Sequence, residues 1–469
     1  MAIEEIPFSG GAFQSVDDFE LIGTQNGAAL ENLLLNDIGS NLDRPGLGPV
    51  DGFAEVDGPC IGSYYFKNNL IFVTNQRSIY SMNSAGVVSD ITGVKLGGTG
   101  RPVFASDGQY LAIAGGSKPI RYSGSGLTEN MPGDPPICTH ILYLDGYWIA
   151  NISGSQEYQF AGPTESLRGT WDAGDFSSAE GLPDNINAIA TSIRELYLFG
   201  DNSVEILQNY GQADVPFVRT FFLDRGLSAP YSVVNANNTL YWLDSDRRFV
   251  QLAQRTPQFI STPFHRIIQQ FDTVSDCFGY KVDYDEHFLI VWKFPTEKKT
   301  FWFDYKTNNW GEFKGFEDGL DADFPLGSYC YFKDNNSHFI GSSRESLIWK
   351  FSTEYSKDGS SEMRRIRRSS FVNHGGFVRK RSNSYRIWLK RGQGASLQTH
   401  PKMEIRFRDD GKPWTYPIQI DLGEVGDFSP YVEVRHRDIY RSRQIELSWT
   451  ADVRVWVSKV EEDFEVMTS

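Results

Sequence analysis

The sequence lacks the motifs that mark common metal, nucleotide and acyl-transfer sites. No His-Glu-x-x-His, Walker loop, Gly-x-Gly-x-x-Gly or Gly-x-Ser-x-Gly pattern occurs in its 469 residues. Cysteine is scarce and never forms a Cys-x-x-Cys pair, which excludes a zinc site built on paired thiolates. We therefore expect no metal, no cofactor and four buried free thiols, with one disulfide as the alternative. These cysteines are Cys60, Cys138, Cys277 and Cys330.

Long apolar runs are also missing. No segment approaches the ~18 consecutive apolar residues of a membrane-spanning helix. The opening residues 1–6 include two glutamates where a signal peptide carries basic residues, and no apolar core follows them. We expect a protein made and kept in a soluble compartment, without a membrane span.

Aromatic residues and glycine are abundant, at 14% and 44 residues respectively, and apolar positions fall in short runs between turn residues. That composition favours strands. The length suggests two or three domains. Charge is unevenly distributed, because residues 363–443 hold 18 Lys/Arg and 8 Asp/Glu, a net +10 in a chain of −15. One part of the molecule is thus suited to face an anionic polymer while the rest repels it.

A loose repeat begins near residue 61, in which a turn of Asn, Asp or Gly leads into an apolar strand. The first large apolar residues of its seven copies lie 37 to 51 positions apart, a spacing typical of propeller blades. We predict an all-β fold with a six- or seven-bladed β-propeller over residues 61–355; a β-sandwich is the alternative. The copies start at Asn68, Asp107, Asp145, Arg194, Asn237, Asp285 and Asn336.

The two ends of the chain differ from the repeat. Residues 1–60 show little periodicity, and we expect an N-terminal arm or lead-in segment with one short strand that packs on something else. Residues 384–457 alternate strictly, as in Tyr385, Ile387 and Leu389, so residues 356–469 are predicted to form a C-terminal antiparallel β-domain. This domain contains the basic segment 363–443.

Few residues suggest chemistry. The Gly97-Gly98-Thr99-Gly100 run reads as a turn, because no phosphate-binding residues follow it. The acidic segment 317–323 lacks EF-hand spacing, so a solvated loop is preferred over a calcium site. Asp409-Asp410-Gly411-Lys412-Pro413-Trp414 contains part of a structural hairpin motif of sialidase-like propellers, without its flanking Ser and Thr. We predict no catalytic residues.

The best functional candidates are seven cations between residues 364 and 381, a span without acidic residues. We expect their charge to be incompletely neutralised, and we place them near a DNA path or at an acidic subunit interface; a solvated basic loop is an equal alternative. They are Arg364, Arg365, Arg367, Arg368, Arg379, Lys380 and Arg381.

The segment 403–414, followed by Asp421-Leu422-Gly423-Glu424-Val425-Gly426, resembles the packaged-DNA-stabilisation proteins of short-tailed phages, which are tail nozzle or hub subunits. Asn32 followed by Arg44-Pro45-Gly46-Leu47 is similar to the opening of that family. Lys412-Pro413 departs from it, since the family turn carries Gly-Arg-Thr there.

This resemblance implies a non-enzymatic virion protein of the tail, assembled in the host cytoplasm. It implies a homohexameric ring around the DNA exit channel, which retains packaged double-stranded DNA without reading its sequence and takes part in DNA ejection. Portal and adaptor proteins, and tail fibres, spikes or a plug, would be its partners. The competing readings are a propeller-type carbohydrate-active enzyme and a monomeric binding adaptor.

Overall fold

The structure is a computed structural model that describes residues 2–6, 29–35, 41–163, 170–179, 181–212, 215–261, 264–390, 401–424, 426–427, 429–436 and 438–467. Its strands are numbered in chain order from β1 to β42. Short helical segments in the described residues include α1 (His265–Gln269) and a 3-10 turn at Lys333–Asn335. Among the described residues, no helix has the length and apolar character needed to cross a membrane. The four cysteines are buried and free, as predicted.

The middle of the chain forms seven four-stranded antiparallel sets, blades 1 to 7, in the described residues. Blade 1 is β6 (Cys60–Phe66), β7 (Asn69–Thr74), β8 (Ile79–Met82) and β9 (Val88–Asp90). Blade 2 is β10 (Val103–Ser106), β11 (Leu111–Ala114), β12 (Ile120–Tyr122) and β13 (Glu129–Asn130). Blade 3 is β14 (Ile141–Leu144), β15 (Tyr147–Asn151), β16 (Glu157–Ala161) and β17 (Phe176–Ser178).

Blade 4 is β18 (Ala188–Ser192), β19 (Glu195–Phe199), β20 (Val204–Asn209) and β21 (Phe217–Leu223). Blade 5 is β22 (Val234–Ala236), β23 (Thr239–Leu243), β24 (Phe249–Ala253) and β25 (Thr256–Phe259). Blade 6 is β26 (Phe278–Tyr284), β27 (His287–Phe294), β28 (Lys299–Asp304) and β29 (Asn309–Glu312). Blade 7 is β32 (Leu326–Phe332), β33 (Ser337–Ser342), β34 (Ile348–Ser352) and β5 (Gly46–Gly48).

The blades pack face to face around an axis, with buried apolar side chains between neighbours. Phe199 of blade 4 meets Trp242 of blade 5 with ring centroids 5.5 Å apart. Phe249 of blade 5 stacks on Trp292 of blade 6 at 4.0 Å. Each of the seven predicted repeats supplies the second strand of a blade. The all-β class and the propeller are therefore confirmed; six blades are separate four-stranded sheets, and blade 6 continues into the C-terminal domain.

Two-residue turns join the first and second strands of several blades. Lys67 and Asn68, Asn237 and Asn238, and Ile193 and Arg194 all have positive φ angles, as tight hairpin turns require. Asn tolerates this backbone region, but the β-branched Ile193 is disfavoured in it. Ile193 is also exposed, so packing does not compensate for its backbone conformation.

The N-terminal arm closes the propeller. Its strand β5 is the outermost strand of blade 7, where Leu47 pairs with Phe351 of β34. The other arm strands are β1 (Ala2–Ile6), β2 (Ala29–Glu31), β3 (Leu33–Leu35) and β4 (Asn41–Asp43). The expectation of one short strand in this region was wrong, because β1, β2, β4 and β5 pair with segments far along the chain, β3 pairs only with β4, and none of them carries a periodicity of its own.

The C-terminal domain is a sandwich of two sheets. The terminal sheet contains β3, β4, β1 and the strands β36 (Lys380–Lys390), β39 (Tyr431–Val434), β40 (Ile439–Tyr440) and β42 (Trp456–Val466). The junction sheet runs from β29 of blade 6 through β2 to β35 (Arg365–Arg368), β41 (Arg443–Trp449), β37 (Lys402–Asp409) and β38 (Ile418–Asp421). A small hairpin, β30 (Gly315–Glu317) with β31 (Leu320–Ala322), lies beside blade 6 in sequence.

Asn32 and Arg44 join the arm, the propeller and the C-terminal domain at one buried point. The Asn32 amide nitrogen donates to the carbonyls of Lys314 (2.9 Å) and Arg364 (2.8 Å), and its oxygen accepts from Arg44 Nε (2.8 Å). Arg44 also donates to both carboxylate oxygens of Asp358, at 3.0 and 2.5 Å. A positive φ of 54° at Asn32 suits asparagine better than most residues.

We expect Arg44→Met to lower the free energy of unfolding by about 3–5 kcal/mol, because it leaves the buried Asp358 carboxylate without its ion-pair partner. Urea titration followed by intrinsic fluorescence measures the change. Lys118→Met is the matched control, since its ion pair with Asp134 is exposed and should contribute about 0–1 kcal/mol. Equal changes in unfolding free energy for the two substitutions would contradict a stabilising role for the buried Arg44–Asp358 ion pair.

We expect Ile193→Asn to raise the unfolding free energy by about 1 kcal/mol, because it relieves the left-handed backbone strain at an exposed position. The thermal midpoint of unfolding measures it. Leu127→Asn is a suitable control, since Leu127 is equally exposed but is not among the residues with positive φ. A variant no more stable than the parent would argue against strain in this turn.

Candidate nucleic-acid interface

The seven cations predicted from the sequence are divided between two sheets. Arg364 and the residues of β35 lie on the junction sheet, whereas Arg379 and the start of β36 lie on the terminal sheet. The basic run therefore does not form one continuous charged surface. Its proximity to DNA stays a prediction. The seven cations have different environments.

Three of the seven side chains are buried and bind backbone carbonyls. Arg365 donates to Met363 (2.8 Å) and Ser356 (2.7 Å) and lies 3.4 Å from the Asp43 carboxylate. Arg367 is enclosed between the sheets, and burial lowers its pKa to about 9. Lys380 donates to three carbonyls, of Gly376, Val378 and Arg441. Such enclosed side chains stabilise the sandwich and cannot reach a phosphate on its surface.

Two more of the seven are half-exposed but paired. Arg364 lies 2.6 Å from Asp321 of the β30–β31 hairpin. Arg368 lies 2.5 Å from Glu446 of the neighbouring strand β41. The expectation of incomplete local neutralisation was wrong for Arg364, Arg365 and Arg368, because strand pairing brings in carboxylates that are distant in sequence.

Glu446 accepts hydrogen bonds from two arginines, an arrangement that no pattern in the sequence predicts. Its second oxygen lies 2.5 Å from Arg406 of β37. The Trp414 ring lies beside both guanidinium groups, 5.3 Å from Arg368 and 4.9 Å from Arg406. Strand alternation places Arg406 and Glu446 on polar faces of their strands. That the two residues are direct cross-strand partners is shown only by the pairing of β37 with β41.

The last two cations, Arg379 and Arg381, are exposed and have no ion-pair partner within the described part of the chain. Arg381 pairs through its backbone with Ile439 of β40. Four exposed apolar side chains belong to the same end of the terminal sheet or the loop before it: Phe377, Val378, Ile439 and Val466. This end of the sandwich, which we call the cationic end, combines apolar area with free positive charge, as protein contact surfaces do.

A buried hydrogen-bonded chain crosses the sandwich. His374 lies 2.8 Å from Glu4 of β1 and 3.0 Å from Glu462 of β42. The Tyr385 hydroxyl donates to Glu462 (2.7 Å) and accepts from Arg443 (2.5 Å). Burial alone would raise the Glu462 pKa, but hydrogen bonds from His374 and Tyr385 and the charge of Arg443 lower it.

The acidic segment 317–323 is used for ion pairing. Asp321 pairs with Arg364, Asp323 with Lys293 at 2.7 Å, and Glu317 with Arg344. No group of three or more His, Cys, Asp or Glu residues suited to a metal occurs among the described residues.

The hairpin motif Asp409-Asp410-Gly411-Lys412-Pro413-Trp414 has a structural role. Its Asp410 carboxylate accepts hydrogen bonds from the backbone amides of Arg441 and Ser442, both at 2.9 Å.

The phage-stabilisation family model described as the β-propeller of bacteriophage P22 Gp10 matches residues 36–356. The chain belongs to this family. It is therefore a phage structural protein of the stabilisation class, and the resemblance read from the sequence is confirmed. No curated protein matches the chain significantly.

Three solved structures are similar to this phage-stabilisation protein at low sequence identity. The WD40 domain of Doa1 is 10% identical, with 65% of this chain and 96% of that chain covered at a TM-score of 0.40. The designed Ika8 protein is 11% identical, with 73% and 100% covered at 0.38. PorZ of Porphyromonas gingivalis is 11% identical, with 79% and 46% covered at 0.38. Matches at this level carry no argument about function.

We expect Glu462→Gln to destabilise this family member most at neutral pH, by about 3–5 kcal/mol, because it removes a buried charge from a paired network. Since the folded pKa of Glu462 is lowered, its contribution is present above the unfolded pKa near 4.5 and is lost as pH falls through the folded value. Urea midpoints of parent and variant should therefore converge as the pH falls below the lowered folded pKa of Glu462. Glu465→Gln, which lies partly exposed on the same strand, should have little effect, and parallel pH profiles would refute the assignment.

Proposed function

We propose that this phage-stabilisation protein is a tail nozzle or hub subunit that forms a ring around the DNA exit channel. In this role it retains packaged DNA and carries attachment sites. The observation that carries the proposal is the family match across the propeller, joined to a C-terminal domain whose charged groups are largely committed to internal pairing. A protein with that arrangement serves as a framework and not as a catalyst.

The propeller axis is an unsuitable path for DNA. Arg101 crosses this region and donates to the carbonyls of Ile61 (2.7 Å) and Gly327 in blades 1 and 7. Ser63 of blade 1 donates to Ser328 of blade 7 at 2.9 Å. These bonds support a path outside the propeller, through a channel that several subunits would enclose.

The cationic end supports contact with a second copy. Its apolar side chains would be buried in a closed ring, and cyclic symmetry would also cover the edge of β1 that pairs with no strand in the described residues. We propose a hexamer on the strength of the family resemblance. Portal and adaptor proteins would lie on one side of the ring, and fibres, spikes or a plug would attach to the blades, where the outer strand β21 exposes Val218 and Phe221.

Electron microscopy of the purified protein, alone and with portal proteins of its phage, tests the proposal. A six-fold ring with a central hole is expected. A monomer at all concentrations that also fails to bind portal components would favour an adaptor. Hydrolysis of a glycan panel that survives repurification and is abolished by one carboxylate substitution would instead favour a carbohydrate-active enzyme.

We expect the double change Arg379→Gln and Arg381→Gln to reduce DNA retention moderately, with a weaker salt dependence, because two exposed cations leave the proposed path. Release of DNA from virions at several salt concentrations measures this. Lys118→Gln with Arg194→Gln removes the same charge from exposed sites on the propeller and serves as control. Normal DNA retention in the Arg379→Gln, Arg381→Gln variant would show that these arginines only form part of a solvated surface. Replacing all of Arg364–Arg368 is a poorer test, because two of its arginines are buried.

We expect deletion of residues 2–6 to weaken ring assembly while the propeller stays folded. Strand β1 covers β42 and places Ile6 in the sandwich core, so its loss exposes a strand edge. Native mass measurement reports the assembly, and Glu5→Gln, at an exposed position, should assemble normally. Unchanged assembly after the deletion would contradict a role for β1. A longer deletion to residue 50 would also remove Arg44 and β5, and would thus damage the propeller itself.

A further inference from the structure

Two arginines meet at one end of the propeller axis. In blades 1 to 6 the innermost strand comes first in the chain, and in blade 7 the innermost strand β32 precedes β33 and β34, so the segments that lead into the innermost strands gather at the same end. Arg101 immediately precedes the first strand of blade 2, and its guanidinium carbon lies 3.5 Å from the ring centroid of Phe278 in blade 6. Its Nη2 donates to the Ile61 and Gly327 carbonyls and to the Tyr280 hydroxyl (3.2 Å).

Arg77 approaches Arg101 from the turn between the second and third strands of blade 1. Its φ of 66° is uncommon for a residue other than glycine, and its Nη1 donates to the carbonyl of Gly100 at 2.6 Å. Burial lowers the pKa of Arg77; the Tyr231 hydroxyl opposes this shift and the charge of Arg101 adds to it. The two guanidinium groups therefore influence each other electrostatically.

Neither arginine has a carboxylate partner within ion-pairing distance in the described residues. The acceptors that they bind are carbonyls and one hydroxyl, all of which are neutral. The pairing of other arginines in this acidic protein is different, since Arg44, Arg368 and Arg443 each bind a carboxylate. Like charges held close together without a counter-charge favour the binding of an anion.

The surroundings provide a further donor and a fixed shape. The Tyr231 hydroxyl lies beside this turn; burial raises its pKa and the charges of Arg101 and Arg77 oppose that rise, so at neutral pH the hydroxyl keeps a proton that it can donate to a ligand. A Cβ atom at Gly100 would lie 2.4 Å from that hydroxyl oxygen, which explains why the glycine-rich turn is needed here. The His140 ring stacks on Tyr231 at 5.2 Å, and burial lowers the His140 pKa to about 4, so this histidine adds no positive charge at neutral pH.

We propose that Arg77 and Arg101, with the Tyr231 hydroxyl, form a binding site for an oxyanion at this end of the propeller. The ligand is a phosphate or carboxylate group, whose oxygens accept charge-assisted hydrogen bonds from guanidinium groups. The Nε and Nη1 atoms of Arg101 are the donors left for it, because Nη2 is occupied by protein acceptors. The site is independent of the proposed ring and DNA path.

Calorimetric titration with inorganic phosphate, and separately with glutarate, tests the site at constant ionic strength set with chloride. We expect the parent protein to bind at least one probe and Arg77→Gln to weaken that binding tenfold or more. Arg247→Gln is the matched control, because Arg247 occupies the same turn of blade 5 with φ 58° and donates to the Phe271 carbonyl at 2.9 Å. Its binding should equal that of the parent.

Phosphate binding alone would identify a phosphate site, and glutarate binding alone would identify a carboxylate site. Absence of binding by both probes, or equal weakening in the Arg77 and Arg247 variants, would overturn the proposal. If Arg77→Gln does not fold, arginine modification by phenylglyoxal in the parent protein decides the question. The bound anion should then protect Arg77 and Arg101 but not Arg247, and equal modification with and without the anion would refute the site.

Discussion

The structure depends on a single buried cation, Arg44, held by Asn32 and Asp358. These three residues belong to the arm and to the segment after the propeller, and Asn32 also binds backbone beside blade 6. Because a guanidinium enclosed in protein must have its donors satisfied, the chain segments around it can adopt few other arrangements. The Phe324 ring 4.6 Å from the guanidinium carbon restricts the position further. This polar contact therefore acts together with the junction sheet, in which β2 pairs with both β29 and β35, to fix the propeller and the C-terminal domain relative to each other.

The positive charge of the C-terminal segment is directed mostly inward. Arg365, Arg367 and Lys380 bind backbone or buried carboxylate, and Arg368 shares Glu446 with Arg406. A net charge counted along the sequence thus overstates the field outside the protein, because paired charges largely cancel at a distance. In the proposed role beside DNA, a weak external field would favour sliding over tight binding.

The propeller could be predicted because its determinants are local. Each hairpin carries its own turn residues and apolar strand, as in the Asn237-Asn238 turn, so spacing alone indicates repeated blades. Alternation likewise identified the buried Tyr385, Ile387 and Leu389. The arm strands and the partners of the arginines could not be found in this way. Glu446 meets Arg406, and Leu47 meets Phe351, only through pairing of distant strands, and a single sequence contains no signal for that register.

Closure of blade 7 by β5 has a consequence for biosynthesis. Residues 46–48 leave the ribosome early, but their partner β34 is made some 300 residues later. Strand β2 is likewise made long before its partners β29 and β35. Until then these apolar arm segments have no native partner, and contacts of such long sequence separation form slowly. The nascent chain must therefore hold its N-terminal strands unpaired through most of translation, which makes the incomplete propeller the stage most open to misassociation with a neighbouring copy.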